Sequence, residues 1–343
     1  MRGLLVSKNL SAVIILLSIS LLSLFSPRSS LADWDFGAKY AGEFMTLGAD
    51  GRSTAMGETG TAYAGNASAA YWNPAGLTDV SQGAVTLMHA DRFSGVVKYD
   101  FLSAAQRFSE REVFGLTVFR LAVDDVPITV LEDPSSPISP ENIVLVDKWT
   151  SDAETAIMGT YAFRWRENWS LGVNGKILSK KAGDNLAFGL GFDIGTRYSF
   201  SDNFHLGAKI SDVTTTFIGW DTGHNEVLLP SMSVGVVKGF ALPRLEADLL
   251  IAIDAGFRAE NRGEADQFAF GAFSGGSHLG FEYIIKKTLS LRGGMDEERF
   301  TAGAGLRVGP ADVDYAYQSH EGLGESHRVS LGFRWQGNPL KRD

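Results

Sequence analysis

The stretch "TAIMGTYAFRW", residues 155–165, alternates apolar residues with smaller or polar ones. Side chains of a β-strand alternate between two faces, so this period of two residues predicts a strand. Thr160 and Arg164 would lie on its polar face. Its apolar face would consist of Ile157, Gly159, Tyr161, Phe163 and Trp165.

The same alternation recurs up to residue 335, in fourteen segments that we predict to be strands. They are 83–90, 95–108, 112–122, 153–165, 168–180, 187–200, 203–213, 231–240, 244–256, 276–286, 288–295, 300–308, 311–319 and 326–335. Residues 266–273 could form a further strand or belong to a loop. The pattern therefore indicates an all-β protein with many strands.

Charged residues occupy the polar faces in mid-strand. They are Lys98, Asp100, Asp193, Arg197, Asp248, Asp254, Glu282, Arg292, Arg307, Asp312, Asp314 and Arg328. A soluble sandwich and a membrane barrel both alternate in this way, but a barrel in lipid turns its charged face to the lumen. We predict that these charges face the lumen, where they would line a substrate path or neutralise one another. The mixture of signs favours neutralisation.

The connections between strands separate the sandwich from the barrel. Every second connection is very short, whereas the others are longer, notably 124–152, 214–230 and 257–275. Short turns at one end and long loops at the other are typical of an outer-membrane barrel. We therefore predict a fourteen-stranded antiparallel outer-membrane β-barrel at residues 81–336.

Aromatic residues cluster beside the short turns. Aromatic side chains concentrate at membrane–water interfaces, so this cluster predicts a girdle on the periplasmic side of the membrane. The girdle would consist of Trp165, Trp169, Phe200, Phe204, Phe240 and Trp335.

The N-terminus has the pattern of an export signal. Arg2 and Lys8 precede the apolar run "LSAVIILLSISLLSLF" (10–25), and small residues follow it. A membrane anchor is the alternative, but the small-residue exit favours a signal peptide at residues 1–32. We expect the protein in the outer membrane of a Gram-negative-type bacterium, with residues 337–343 as a periplasmic tail.

Composition excludes several classes of function. Cleavage after residue 32 removes three positive charges and takes the formal net charge from −9 to −12, which argues against nucleic acid as a partner. The chain has no cysteine, so it has neither disulfides nor thiolate metal sites. The acidic residues of 124–152 lack the spacing of a calcium loop, and we expect a solvated rim and no bound metal.

No motif predicts catalysis or a cofactor. The six histidines are scattered, and only His89 with Asp91 and Ser94 would suggest a hydrolase. The glycine runs 189–195 and 303–309 resemble dinucleotide loops, yet they lie inside predicted strands with no helix after them. We predict a protein that is not an enzyme and needs no cofactor.

Residues 33–80 precede the barrel and are rich in Gly, Ala, Ser and Thr. Small residues permit close backbone packing, so this segment is predicted to fill the barrel as a hatch or plug. Pro74 suits the first position of a helix that Asn73 would cap. The motif of the hatch is Trp72, Asn73, Pro74, Ala75 and Gly76.

Residues 41–77, "AGEFMTLGADGRSTAMGETGTAYAGNASAAYWNPAGL", resemble the N-terminal signature of PorV/PorQ-type outer-membrane proteins, a branch of the FadL-like barrels. "VKYDF" (97–101) and "HRVSLGFRW" (327–335) resemble later parts of the same family. The resemblance implies a fourteen-stranded barrel in which residues 73–75 form the hatch turn. It also implies insertion by the barrel assembly machinery into outer-membrane lipid, although eight residues follow the terminal aromatic Trp335.

The resemblance implies a shuttle in protein export, which would receive secreted cargo from a type IX secretion channel. The alternative is FadL-like uptake of fatty acids or other hydrophobic small molecules. An outer-membrane lipid hydrolase is a third hypothesis. The sequence contains no feature that separates the shuttle from the uptake channel.

Overall fold

The computed structural model describes residues 34–35, 42–63, 65–92, 95–260, 262–263, 266–320 and 324–336 of the chain. The predicted signal peptide (1–32) and C-terminal tail (337–343) lie outside the described residues. Among the residues that are described, no helix is long and apolar enough to cross a membrane.

Fourteen antiparallel strands form a closed barrel, as predicted. They are Gly83–Arg92 (β1), Val97–Arg107 (β2), Glu112–Leu131 (β3), Val144–Arg166 (β4), Trp169–Ala182 (β5), Asn185–Ser201 (β6), Phe204–Ser211 (β7), Ser231–Leu242 (β8), Ala247–Arg258 (β9), Phe273–Ile285 (β10), Leu289–Asp296 (β11), Arg299–Val308 (β12), Ala311–His320 (β13) and Gly324–Trp335 (β14). Each strand pairs with its neighbours in the chain, and β14 pairs with β1 to close the wall. Because the barrel is closed, no edge of the described sheet exposes unpaired backbone N–H and C=O groups to lipid, which could not form hydrogen bonds with them.

The two ends of the barrel differ, and we name them for their connections. The short-turn end carries the connections after β2, β4, β6, β8, β10 and β12, whereas the long-loop end carries the others. Strands β3 and β4 remain paired as far as Leu131 and Val144, so the predicted loop 124–152 is wrong. The loop is 132–143, because the β-branched residues on either side of it continue the ladder past the barrel rim.

Two other predicted loops contain short strands. Thr216–Trp220 and Asn225–Leu228 form a hairpin between β7 and β8. Phe268–Phe270 folds back on the start of β10, so residues 266–273 contain a strand that adds nothing to the count of fourteen. Residues 34–35 pair in parallel with Asn225 and Glu226.

The outer face of the wall is apolar over much of its height. On β6, for example, the exposed side chains are Phe188, Phe192, Ile194 and Phe200, which alternate with buried residues. The predicted girdle residues lie at the short-turn end, where Trp165 and Trp169 have ring centroids 5.3 Å apart and the rings of Phe200 and Phe204 stack at 5.0 Å. Phe240 is exposed on β8, and Trp335 covers Gly83 of β1.

Residues 42–63 and 65–80 lie inside the barrel, and we call them the plug. They form 3-10 helices at Glu43–Thr46 and Pro74–Asp79 and short helices at Gly51–Ala55 (α1) and Ala69–Trp72 (α2). Phe44 and Tyr71 of the plug pack on Phe119 of β3, with ring centroids 5.6 and 5.9 Å away. The main buried core of the protein is thus shared between plug and wall.

The orientation of the barrel can be tested with cysteine labelling, because the natural chain has no cysteine. Glu141 lies in the loop between β3 and β4, and Asp202 lies in the turn between β6 and β7; both are exposed. Long loops of outer-membrane barrels face outward. In intact cells, Glu141→Cys should react with a membrane-impermeant maleimide and Asp202→Cys should react only after lysis. The reverse pattern would show that the long-loop end faces the periplasm.

Candidate functional site: the plug and the cavity beside it

The Asn73 side chain hydrogen-bonds both to other residues of the plug and to the barrel wall. Its backbone is extended, with φ −160° and ψ 110°, as expected for a residue before proline. Its Oδ1 accepts a hydrogen bond from the N–H of Ala75 at 3.1 Å and caps the 3-10 helix. Its Nδ2 donates to the carbonyls of Thr61 at 2.7 Å and Thr196 at 3.0 Å. One side chain therefore joins two parts of the plug and β6.

The other residues of the predicted hatch motif surround this junction. Trp72 donates from Nε1 to Asp50 Oδ2 at 3.1 Å, and its ring lies over Gly60. Ala75 is fully buried, and the Gly76 N–H donates to the carbonyl of Asn73 at 2.8 Å. The motif thus forms the contact surface between the plug and strands β5 and β6.

A pair of glycines on the wall provides the space for Asn73 and Pro74. Gly172 of β5 and Gly195 of β6 lie opposite each other in the register of the two strands. A Cβ at Gly195 would lie 2.2 Å from Asn73 Oδ1, and a Cβ at Gly172 would lie 2.4 Å from the Pro74 carbonyl carbon. No side chain fits at either position, because the plug backbone rests directly on Gly172 and the side chains of Asn73 and Pro74 rest on Gly195.

Pairs of facing glycines lie beside the plug at two further places in the wall. Gly207 and Gly235 are paired, and a Cβ on Gly207 would lie 2.1 Å from the carbonyl oxygen of Thr61. Gly280 and Gly294 are also paired, and Cβ atoms there would lie 2.3 Å from Met56 O and 2.5 Å from Gly57 N. Three glycine pairs therefore adjoin the plug, at residues 56–57, 61 and 73–75, although a Cβ on Gly235 would first meet Asp254 of the wall, at 2.2 Å.

Sequence reasoning did not find these seats. It set aside the run 189–195 as ordinary strand glycine, although Gly195 at its end contacts Asn73. Gly303 of the run 303–309 similarly faces Ala55, whose Cβ would be 2.6 Å from the added atom. The available signal was that glycines occupy facing positions on adjacent predicted strands.

Charged residues of the wall also hold the plug. Asp254 of β9 accepts hydrogen bonds from the N–H groups of Gly60 at 2.9 Å and Thr61 at 2.8 Å. Arg197 of β6 donates to the carbonyl of Ala62 at 3.0 Å and pairs with Asp79 at 2.7 Å. These bonds satisfy plug backbone groups that are buried away from water.

Two larger clusters lie against α1. Glu282 of β10 binds Arg52 of α1 and, at 2.8 Å, Arg292 of β11, which in turn lies 2.7 Å from Asp314. Arg328 of β14 is almost fully buried and donates to Thr54, Glu58 and Gln318 at 2.9, 3.2 and 3.1 Å. Opposite charges therefore meet across the plug–wall contact.

The predicted lumen-facing charges fall into two groups. The structure places ten of them on the inner face, including three near the short-turn end: Asp248, Arg307 and Asp312, the last two 2.7 Å apart. The prediction is wrong for Lys98 and Asp100, which are about half exposed on the outer face of β2. Tyr99 and Phe101 point inward instead, because the interior here is an apolar core shared with the plug.

The histidine considered for a hydrolase also lies on the outer face. His89 is 55% exposed, with Nδ1 2.7 Å from Asp100 and Nε2 3.5 Å from Asp91. Ser94, the third residue of that hypothesis, lies outside the described residues.

A cavity of about 110 Å³ separates part of the plug from the wall. Its apolar lining consists of Met45, Tyr71, Met158, Val227, Leu228 and Leu229. On its polar side, Lys176 lies between Asp193 and Asp212, at 2.7 and 2.8 Å, and Lys209 donates to the Tyr71 carbonyl at 2.7 Å. The cavity is therefore amphipathic, and these polar groups are largely neutralised by their neighbours.

The wall is interrupted beside this cavity. β7 ends at Ser211, and residues 212–215 bulge away from β6, with φ of 54° at Asp212 and 60° at Thr215. Pairing with β6 resumes only at Phe217. On the other side, strands β8 and β9 are paired as far as Ser231 and Arg258, where their ladder ends. Beyond this point, the hairpin strand 225–228 pairs with residues 34–35. We call this interruption between the 216–228 hairpin and the end of β9 the seam.

Solved structures of similar shape include two toluene transporters and a FadL homologue. The toluene transporter TbuX of Ralstonia pickettii aligns with a TM-score of 0.55 at 13% identity, over 84% of this chain and 98% of its own. A FadL homologue of Pseudomonas aeruginosa aligns at 0.53 and 12% identity, over 83% and 98%. The toluene transporter TodX of Pseudomonas putida aligns at 0.52 and 13%, over 84% and 98%.

These likenesses show the fold, which is a closed fourteen-stranded barrel of the FadL type. No protein-family model and no curated protein matches the chain. The FadL-like part of the sequence-based interpretation is thus supported at the level of fold, and the PorV/PorQ part stays a prediction.

Adding a methyl group at a glycine seat should destabilise the protein. Gly195→Ala would place its Cβ 2.2 Å from Asn73 Oδ1, so we expect a loss of about 1–3 kcal/mol in the free energy of unfolding. Gly159→Ala is the matched control, because a Cβ there meets nothing within 4 Å, and it should change the free energy by less than about 0.5 kcal/mol. Urea titrations in detergent micelles measure both. Equal stabilities would show that the plug does not rest on Gly195.

Removing the Asp254 carboxylate should loosen the plug. Asp254→Ala leaves the N–H groups of Gly60 and Thr61 buried without their acceptor, at a cost of about 1–3 kcal/mol each. We expect faster maleimide labelling of a Thr61→Cys reporter in this background. Asp248→Ala is the control, because Asp248 shares the face of β9 but its side chain makes no hydrogen bond with a described residue. Unchanged labelling in Asp254→Ala would contradict the anchoring role.

Proposed function

We propose that this chain is an outer-membrane channel for hydrophobic small molecules, with the plug as its barrier. The observation that carries the proposal is the amphipathic cavity between plug and wall, which lies where the wall is interrupted at the seam. Such a site offers apolar contact on one side and access through the wall on the other.

The barrel has no need of an open axial pore for this function. Plug residues such as Ala49, Ala55 and Ala75 are completely buried, so the plug closes the lumen along its axis. The cavity holds about 110 Å³, and an apolar cavity of about 150 Å³ is enough to bind benzene. A modest displacement of the plug would therefore admit a molecule of that size.

The neighbouring structures support this proposal over its rivals. Two of them are named as toluene transporters and one as a FadL homologue. None of the neighbours cited is described as part of a secretion system, so the expected type IX shuttle has no support beyond the resemblance. We place the protein in the outer membrane, where the assembly machinery for barrels would insert it into lipid.

Filling the cavity should block uptake. Ser231 lines the cavity at the start of β8, and Ser231→Trp would occupy most of the space. Met232→Trp is the matched control, since Met232 is exposed on the outer face of the same strand. Cells that express the natural chain should take up labelled toluene or oleic acid several-fold faster than cells without it. Ser231→Trp should return uptake to that background, whereas Met232→Trp should not.

Two outcomes would contradict the proposal. The first is that neither compound enters faster when the natural chain is present at normal levels in the outer membrane. The second is that Ser231→Trp, correctly folded by heat-modifiability on gels, transports as well as Met232→Trp.

A further inference from the structure

One side of the barrel carries polar residues on its outer face, where the opposite side is apolar. We call these residues the polar face: His89, Asp91, Lys98, Asp100, Arg120 and His327. They lie on the adjacent strands β14, β1, β2 and β3, and all six side chains are exposed. The proposed transport function makes no use of them.

The polar face lies within the height that lipid should cover. A strand rises about 3.3 Å per residue, or about 2.5 Å along the axis of a barrel with strands tilted by about 40°. His89 is six residues above Gly83 at the short-turn end, which is about 15 Å, whereas the apolar band of such barrels is about 25 Å tall. On β6 the apolar outer residues run from Phe200 to Phe188, about 30 Å.

Two tyrosines lie where the apolar band ends on this side of the barrel. Tyr315 on β13 is exposed, and its hydroxyl lies 2.7 Å from His327 Nδ1; Tyr317 donates to Glu325 at 3.1 Å. Tyrosine concentrates where apolar surface meets a polar environment. The apolar band on this side is thus about 15 Å shorter than on the β6 side.

The charges of the polar face are only partly matched within the chain. Asp91 and Asp100 share one partner, His89, and Lys98 pairs with Asp124 at 3.1 Å. Arg120 lies opposite Asp100 in the strand register, yet its side chain forms no ion pair or hydrogen bond with a described residue. Among the described residues, the Arg120 side chain is thus unpaired and two carboxylates share one histidine, side by side on the outer face of the wall.

We propose that the polar face is the contact surface for a second copy of this chain. The face contains both signs of charge, so a second copy can present carboxylates to the Arg120 side chain and a cation to Asp91 and Asp100. Association also removes a mismatched strip of the wall from lipid, which is one of the ways a membrane protein accommodates mismatch.

The dimensions and the rim of the barrel fit this contact. The five strands from β13 to β3 span about 24 Å at about 4.8 Å each, and with a band about 25 Å tall they offer about 600 Å² before side-chain relief is counted. Stable interfaces bury about 800 Å² per partner. Only four residues connect β1 to β2 and three connect β13 to β14, whereas the β3–β4 hairpin continues past the rim as far as Leu131 and Val144 at one edge of the contact.

Cysteine cross-linking in native membranes tests the proposal. Leu102 lies on the outer face beside Asp100, and Ile177 lies on the outer face of β5, away from the polar face; their exposed fractions are 44% and 52%. With a bis-maleimide, Leu102→Cys should give at least ten times more covalent dimer than Ile177→Cys. Native mass spectrometry of the gently extracted natural chain should show the same dimer.

A second variant separates the charges from the general shape. His89→Leu, Asp100→Leu and Arg120→Leu together would extend the apolar band, which leaves the barrel suited to lipid. We expect this triple variant to insert normally and to lose most of the dimer. A monomeric natural chain would overturn the proposal, as would equal cross-linking at the two cysteines, attachment of a different protein at Leu102→Cys, or an undiminished dimer in the triple variant.

Discussion

The direct contact between the plug backbone and the barrel wall is the constraint on which the rest of the structure depends. A fourteen-stranded barrel encloses more space than its own inward side chains fill, and here the plug occupies it. Close packing of two backbones requires the absence of side chains at the contact, and three facing glycine pairs supply that absence. The buried backbone groups of the plug then need partners, and the wall provides them through Asp254, Arg197 and Arg328.

The charges inside the barrel follow from the same constraint. A charge buried between plug and wall must meet an opposite charge or several dipoles. Arg52 meets Glu282 across the contact, and Glu58 meets Arg328, so each element leaves a charge uncompensated without the other. The positive and negative charges predicted to face the lumen thus neutralise one another between plug and wall. For these residues, a packed interior describes the structure better than a substrate path.

The sequence was sufficient for properties that depend on neighbouring residues. The period of two gave fourteen strands, and Asn73 before Pro74 caps a helix as its residue type predicts. It was insufficient where distant segments meet: Gly195 and Asn73 are 122 positions apart, and the cavity and the seam each combine several strands. Lys98 and Asp100 were misplaced because the rule of a polar interior fails where Phe44 and Tyr71 of the plug make the interior apolar. The acidic residues of 124–152 similarly led to the prediction of a long loop where β3 and β4 remain paired.

The bulge at residues 212–215, which borders the same cavity as the seam, keeps hydrogen bonds to β6 although the regular ladder is interrupted there. Where β7 leaves β6, the N–H of Val213 donates to the carbonyl of Phe192 at 2.9 Å, and the N–H of Asp212 donates to the Asp193 carboxylate at 3.0 Å. Asp193 also accepts from Lys176, so one side chain replaces a strand hydrogen bond and balances a cation of the cavity. Lipid tolerates an interrupted strand only where such partners exist. The charged side of the cavity therefore has a structural role in satisfying the backbone of the 212–215 bulge, and it leaves the apolar side, from Met45 to Leu228, as the surface that a hydrophobic molecule would contact.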